Sequence, residues 1–288
     1  MNRSSLFIII YIIGIILGAV FLDIWSSETT VAKGLIVLGW TALFLICLLY
    51  TDKKKKLIIF KSLMAKKFQN LKKRIINCRN CPRLIKFRKK IIKKKRKQYF
   101  NEKYWGKPIT GFGDINGKIL FVGLAPAAHG ATRTGRVFTG DKSSDFLYKC
   151  LYNAKISNQN TSTHINDGLK LNNAFITASL KCVPPEDKPE KIELDNCSVY
   201  FKEEINLLKN LKVIVALGKI AFDSCVTFYK KNHSFIEKIK FGHNLYYNLP
   251  NDVLLVGCYH PSPRNVNTGR INEKKMTLLF KNILKKIN

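Results

Sequence analysis

The sequence predicts an α/β protein: a parallel sheet covered by helices, with two membrane-crossing helices ahead of it. Three observations carry that prediction. From about residue 104 onward, short apolar runs alternate with helical stretches. Two charge-free apolar runs stand at the N-terminus. The first apolar run of the alternating part opens directly into a glycine-rich loop that is dense in reactive side chains.

Leu6 to Leu22 and Gly34 to Tyr50 are uninterrupted by charge. Each run is about 17 residues, or roughly 26 Å as a helix, near the lower limit for crossing a bilayer. Asp23, Glu28 and Lys33 fall between or beside them, Arg3 precedes the first, and Lys53-Lys54-Lys55-Lys56 follows the second. The positive-inside rule places both ends of such a hairpin in the cytoplasm, so the chain is expected in the cytoplasmic (inner) membrane with its following domain facing the cytoplasm. A cleaved signal peptide fits poorly, because no small-residue cleavage site precedes a second apolar run. A buried core hairpin is the rival, and the four lysines speak against it.

The chain has 288 residues, enough for one sizeable α/β domain plus an accessory segment. Its formal net charge is +31, from 50 Lys+Arg against 19 Asp+Glu. Such an excess points to an anionic partner, nucleic acid or an anionic membrane surface. The lysine excess beside many isoleucines and asparagines also fits AT-rich coding. Residues 51 to about 100 are lysine-rich with Leu57, Ile58, Ile59, Leu63, Phe68, Leu71, Ile75 and Ile76 interspersed at loosely helical spacing. Anionic lipid, DNA and a solvated linker helix are all open readings of this segment. The organisation expected is a hairpin over 1–52, a basic linker helix over 53–77 and a domain over 78–288.

Eight cysteines in so large and apolar a chain do not describe a disulfide scaffold. Cys78-Arg79-Asn80-Cys81-Pro82 is a C-x-x-C pair, open to zinc, iron–sulfur or redox chemistry. Lys181-Cys182-Val183-Pro184-Pro185 and Cys197 follow later. Four thiolates suit either a tetrahedral zinc or an iron–sulfur cluster, and spacing alone does not choose between them. Cys150, Cys225 and Cys258 lie in apolar surroundings and read as core residues.

Strands are expected at Ile119–Val122, Ala174–Leu180, Val213–Leu217 and Val253–Cys258, and helices at Ser143–Leu151, Pro189–Leu208, Ile220–Lys231 and Asn272–Ile287. Gly111-Phe112-Gly113 precedes its strand rather than following it, so it is not read as a dinucleotide signature. The loop after the first strand runs Gly123-Leu124-Ala125-Pro126-Ala127-Ala128-His129-Gly130 and on through Arg136-Val137-Phe138-Thr139-Gly140-Asp141. Glycine lets backbone approach a ligand closely and proline stiffens the turn. A loop selected only for turning has no need of His129, Arg133, Arg136, Phe138 and Asp141 together. A second chemical stretch, Cys258-Tyr259-His260-Pro261-Ser262-Pro263-Arg264-Asn265, follows the last strand and holds a histidine, pinned by the two prolines after it, at the same sheet edge.

These residues, with Tyr104-Trp105-Gly106-Lys107-Pro108, Gly111-Phe112-Gly113-Asp114 and Thr268-Gly269-Arg270, resemble the family 5 (B-type) uracil-DNA glycosylases. The resemblance runs from about Cys78 to the C-terminus and leaves out the apolar hairpin and the lysine-rich helix. It implies a four-stranded parallel sheet between two layers of helices. It implies a 4Fe-4S cluster on Cys78, Cys81, Cys182 and Cys197. The activity implied is removal of uracil and some other deaminated bases from DNA by a monomer that initiates base excision repair.

The implied roles follow the chemistry of taking a base out of the stack and breaking its bond to the sugar. Phe138 would stack on the flipped base, and Gly123, Leu124 and Ala125 would line the pocket. His260 would hydrogen-bond a base carbonyl on which charge accumulates. Asp141 would position water or face the sugar cation, with Asp145 as its competitor or as a helix-start carboxylate. Arg136, Ser262 and Arg264 are expected at the DNA. Leu124 stands where many superfamily members carry a polar residue, and Ala178 stands where several place a base-reading asparagine, which implies looser base choice. The alternative is a non-catalytic, membrane-tethered DNA-binding protein with a structural metal site.

Overall fold

Each strand of the sheet is a short run of β-branched, aromatic and small residues covered on both faces, which is why it reads as continuously apolar rather than alternating. The computed structural model describes residues 3–22 and 30–287. The connection between the two apolar runs, with Asp23 and Glu28, lies outside the described residues. The chain divides into two units, Met1–Lys66 and Lys67–Asn288.

In the first unit, α1 (Arg3–Leu22) packs on the early part of α2 (Val31–Ile76). Tyr11 stacks on Phe44 at 4.1 Å and 14°. Gly14 lies under the Trp40 ring, whose indole nitrogen donates to the Tyr11 carbonyl at 3.4 Å. Their outward faces are apolar and exposed, as at Ile12, Ile16, Leu38 and Ile46. Among the described residues α2 alone is long and apolar enough to cross a membrane; its most apolar 18-residue window has a mean hydropathy of 2.2 and none of it is buried. The apolar part of α1, Ser5–Phe21, is shorter.

In the second unit the sheet has six strands in the order β1-β3-β2-β4-β6-β5. β2 (Ile119–Gly123), β3 (Ala174–Ala178), β4 (Val213–Leu217) and β6 (Val253–Cys258) are parallel. β1 (Phe112–Gly113) and β5 (Tyr246–Leu249) add antiparallel edges. This corrects the expectation of a four-stranded, all-parallel sheet: the four expected strands are its centre. The edges escape sequence reading because β1 is two residues long and β5 is half-exposed.

Period-2 alternation splits the core. Ile119, Phe121, Ile176, Val213, Val215 and Val256 face α5 (Lys142–Asn153) and α9 (Glu273–Ile287). Leu120, Val122, Phe175, Ile214, Ala216 and Leu255 face α6 (Lys191–Leu207) and α7 (Lys219–His233). A third cluster joins Leu71 and Ile75 of α2 to Leu84 of α3 (Pro82–Lys93) and to Leu180, Cys197 and Tyr200. Phe68 packs edge-on against Phe175 at 5.4 Å. The last turns of α2 are therefore part of the second unit's core. The chain leaves β2 for β3 on one side, then returns past β2 to β4 and β6. The crevice at that reversal, above the carboxyl ends of β2 and β4, is where open α/β sheets hold ligands.

Candidate active site

Three strand ends converge on that crevice. β2 ends at Gly123, where a Cβ would lie 2.6 Å from the Phe138 ring, so only glycine lets that ring lie over the backbone. β4 ends at Gly218 (φ +102°), whose N–H donates to the Cys258 carbonyl at 2.8 Å. β6 delivers His260, packed against Gly218. The Phe138 and His260 rings lie 5.9 Å apart at 34° and form adjacent walls of one slot. Phe138 has φ +47°, a left-handed conformation that a bulky residue adopts only when its surroundings impose it.

What imposes it is Arg136. This side chain is 3% exposed and makes a bidentate pair with Asp167 at 2.6 and 2.8 Å. It also donates to Thr139 and Ser162 at 2.9 Å, and Ser162 in turn donates to the Phe138 carbonyl at 3.2 Å. Arg136 thus fixes the loop that carries Phe138, and its donors do not reach a solvent-side phosphate as expected. Burial alone would raise the Asp167 carboxyl, but Arg136 and the amides of Leu169 and Thr163 hold it well below the ordinary range.

The carbonyls of Gly123 and Leu124 are taken by Ser179 and Leu180, at 2.9 and 2.8 Å through their backbone N–H groups. The N–H groups of Leu124 and Ala125 have no partner among the described residues. Ala178 is buried beside Gly123 in the β2–β3 register and offers no polar side-chain group.

Asn265 donates to the His260 carbonyl at 2.9 Å, and Ser262 caps α8 (Pro263–Asn267). His243 stacks on Tyr259 at 5.2 Å and accepts its N–H at 3.2 Å. The His260 ring has no hydrogen-bond partner among the described residues. Burial pushes its pKa down to about 4, so the ring is neutral at pH 7 and carries one donor nitrogen. Asp141 caps α5: its carboxylate accepts the Ser144 N–H at 2.9 Å, and its own N–H donates to Ser144 Oγ at 3.0 Å. Its other oxygen lies against Gly130. Burial raises the Asp141 carboxyl, against the amides of Ser144 and Ser143. Asp145, in the first turn, is exposed beside Lys142. The helix-start role belongs to Asp141, while Asp145 faces solvent away from any such bond.

Cys78, Cys81, Cys182 and Cys197 gather around the third core cluster. Arg88 donates to the Cys182 sulfur at 2.9 Å, the Lys181 N–H to Cys197 at 3.4 Å and Asn196 to Cys81 at 3.7 Å. Burial raises the thiols of Cys81, Cys182 and Cys197, against these N–H contacts. Among the described residues, no three His, Cys, Asp or Glu side chains are disposed to hold a metal ion. Sequence reading missed the buried pair beneath: Lys181 and Glu204, 2% and 0% exposed, meet at 2.6 Å. Glu204 also accepts from Thr177 and from the Gly111 N–H. It is a buried charge fully matched, which ties β1 and β3 to α6.

The model of the uracil-DNA glycosylase superfamily matches residues 110–285. A type-5 uracil-DNA glycosylase of Mycobacterium leprae is 40% identical over 209 residues, 72% of this chain and 90% of that protein. Those of Thermus thermophilus and Mycobacterium tuberculosis are 40% identical over 200 and 205 residues, covering 68% and 71% of this chain and 88% and 76% of theirs. The chain belongs to the type-5 uracil-DNA glycosylases. In this type-5 member the matched region begins at the first sheet strand, so α1, α2 and α3 precede the superfamily pattern.

Proposed function

We infer that the chain is a hydrolase that releases uracil from DNA by cleaving the N-glycosidic bond. The observation that carries this is the slot at the sheet's switch point, where neutral His260 meets Phe138 over Gly123. The flipped base stacks on Phe138, and the N–H groups of Leu124 and Ala125 meet its polar edge. His260 donates to the carbonyl oxygen on which negative charge grows as the bond to C1′ breaks. Because the ring is already neutral, it donates a hydrogen bond and gives up no proton. The Asp141 carboxylate would face water or the sugar cation. The pocket lacks a side-chain amide at Ala178, which supports acceptance of other deaminated bases.

Cys78, Cys81, Cys182 and Cys197 would hold a 4Fe-4S cluster, whose contribution is to cross-link the segment before the sheet to the loop after β3. Support comes from the four cysteines meeting at the third core cluster. The hairpin of α1 and α2 would anchor the chain as a monomer in the cytoplasmic membrane with the enzyme facing the cytoplasm. Support comes from its exposed apolar faces and the lysines after the second run.

The test is base release from uracil-containing and other deaminated oligonucleotides by the full chain in nonionic detergent. Release of free uracil with an intact sugar–phosphate backbone is expected. No release from any of these substrates overturns the reading. Anaerobic purification with iron and visible absorbance, both abolished when any of the four cysteines becomes Ala, tests the cluster; stoichiometric zinc without iron overturns it.

A further inference from the structure

The lysine-rich stretch ahead of the superfamily match at residue 110 has one part that the structure ties to the catalytic loop. α3 ends at Lys93, and Lys94-Lys95-Arg96-Lys97 turn the chain toward Tyr104. Tyr104 hydrogen-bonds His129 at 2.8 Å, the Trp105 N–H donates to the Arg133 carbonyl at 2.8 Å, and the Gly106 N–H to the Thr132 carbonyl at 3.0 Å. Arg133 donates to the Gly140 carbonyl at 2.9 Å, one residue before Asp141. Lys95 lies over the Tyr104 ring and Arg133 over the Tyr99 ring at 3.8 Å, so the turn that carries these cations packs against the loop that builds the pocket.

The local structure uses only one of these cations. Lys95 donates to the carbonyls of Phe100 and Glu102 and lies over the Tyr104 ring. Lys93, Lys94, Arg96 and Lys97 are exposed and have no ion-pair partner among the described residues. α3 itself contains no acidic residue. A helix C-terminus favours a basic residue in its last turn, and Lys90 and Lys93 satisfy that. Four exposed cations without acidic partners crowd this short stretch, a local concentration of positive charge that suits an anion.

We propose that Lys93, Lys94, Arg96 and Lys97 form a phosphate-binding shelf beside the pocket. The shelf holds the DNA backbone flanking the flipped nucleotide while the slot takes the base. It rests on the reading of the chain as a DNA glycosylase and assigns a strand-positioning role to residues ahead of the superfamily match. Such interactions carry affinity and register rather than sequence choice.

The experiment measures equilibrium binding of the full chain, in nonionic detergent, to undamaged and uracil-containing duplexes across a salt series. The parent is compared with a variant changing Lys93, Lys94, Arg96 and Lys97 to Gln, and with a control changing Lys53, Lys54, Lys55 and Lys56 to Gln. Each phosphate that the protein no longer neutralises lowers the slope of log K against log salt by about 0.9. The shelf variant should show a slope shallower by about 2–4 on both duplexes, with single-turnover uracil release at saturating DNA unchanged. The control should keep the parental slope. An unchanged slope in the shelf variant overturns the proposal, and so does weaker binding to anionic phospholipid vesicles without a change in slope. A parent that releases no uracil overturns the glycosylase reading instead, and the slope on undamaged DNA still reads the shelf.

Discussion

Arg136 is expected at the DNA from sequence and found in the interior, and the two placements predict opposite outcomes. Replacing Asp167 by Ala leaves the Arg136 guanidinium buried with two neutral hydroxyl partners and no counter-charge. Removing one partner of a buried ion pair costs about 3–5 kcal/mol. For a unit of this size, each kcal/mol moves the unfolding temperature by about 2–4 °C, so a drop of roughly 6–20 °C is expected. The depressed Asp167 carboxyl gives the sign with pH. Its stabilisation is complete above the ordinary aspartate value and fades as pH falls below it, so the gap between parent and Asp167→Ala should be constant near neutral pH and begin to narrow toward pH 3. The assay is thermal unfolding of the full chain in detergent between pH 3 and 8, paired with the salt slope for DNA binding. Arg136→Lys should also destabilise, because an ammonium cannot match the two-pronged interaction. If Arg136→Ala leaves the unfolding temperature unchanged and lowers the salt slope by about 1, the loop-fixing role is wrong and Arg136 binds a phosphate.

His260→Ala should lower single-turnover release by about 10²–10³ while equilibrium affinity holds, as for removal of a preorganised donor; parental rates would refute its role. Because the ring is neutral down to about pH 4, the parental rate should show no limb near pH 6.5 that His260→Gln removes. Phe138→Ala should weaken binding to uracil-containing DNA by about 1–3 kcal/mol as well as slowing release, since stacking holds the base before and during the reaction; unchanged affinity would count against the stacking wall. Asp141→Ser keeps a side-chain cap and removes the carboxylate, whereas Asp141→Ala removes both, costing about 1 kcal/mol of stability. A slow but stable Ser variant assigns Asp141 to the reaction, and a parental rate assigns it to the helix alone.

The four central strands were legible because burial on both faces leaves a run of apolar residues that no polar alternation interrupts. β1 and β5 were not, since an edge strand needs only a few backbone bonds and leaves little mark in sequence. The glycine-rich loop and His260 stood out by their density of reactive groups beside a strand end. Their supports did not. Asp167 lies 31 residues from Arg136, and Glu204 lies 23 from Lys181, so each pairing exists only once the chain has folded. Asp141 illustrates the other limit. A carboxylate at the end of a glycine-rich loop reads as a reactive group, and its capping bond to Ser144 becomes visible only when the helix start is fixed.

The third core cluster also decides where the enzyme can be cut from its N-terminal helices. Phe68, Leu71 and Ile75 are buried among residues of the sheet, α3 and α6, yet all three precede Cys78, where the resemblance to the family begins. A truncation drawn at the family's edge removes three side chains, each contributing about 1.5–3 kcal/mol through burial. It opens the interior beside Cys197 and Tyr200 to water. The minimal excisable enzyme therefore starts no later than Lys67. Any chimera that exchanges the N-terminal helices must retain the last turns of α2, because heredity of the fold and heredity of the motif begin at different residues.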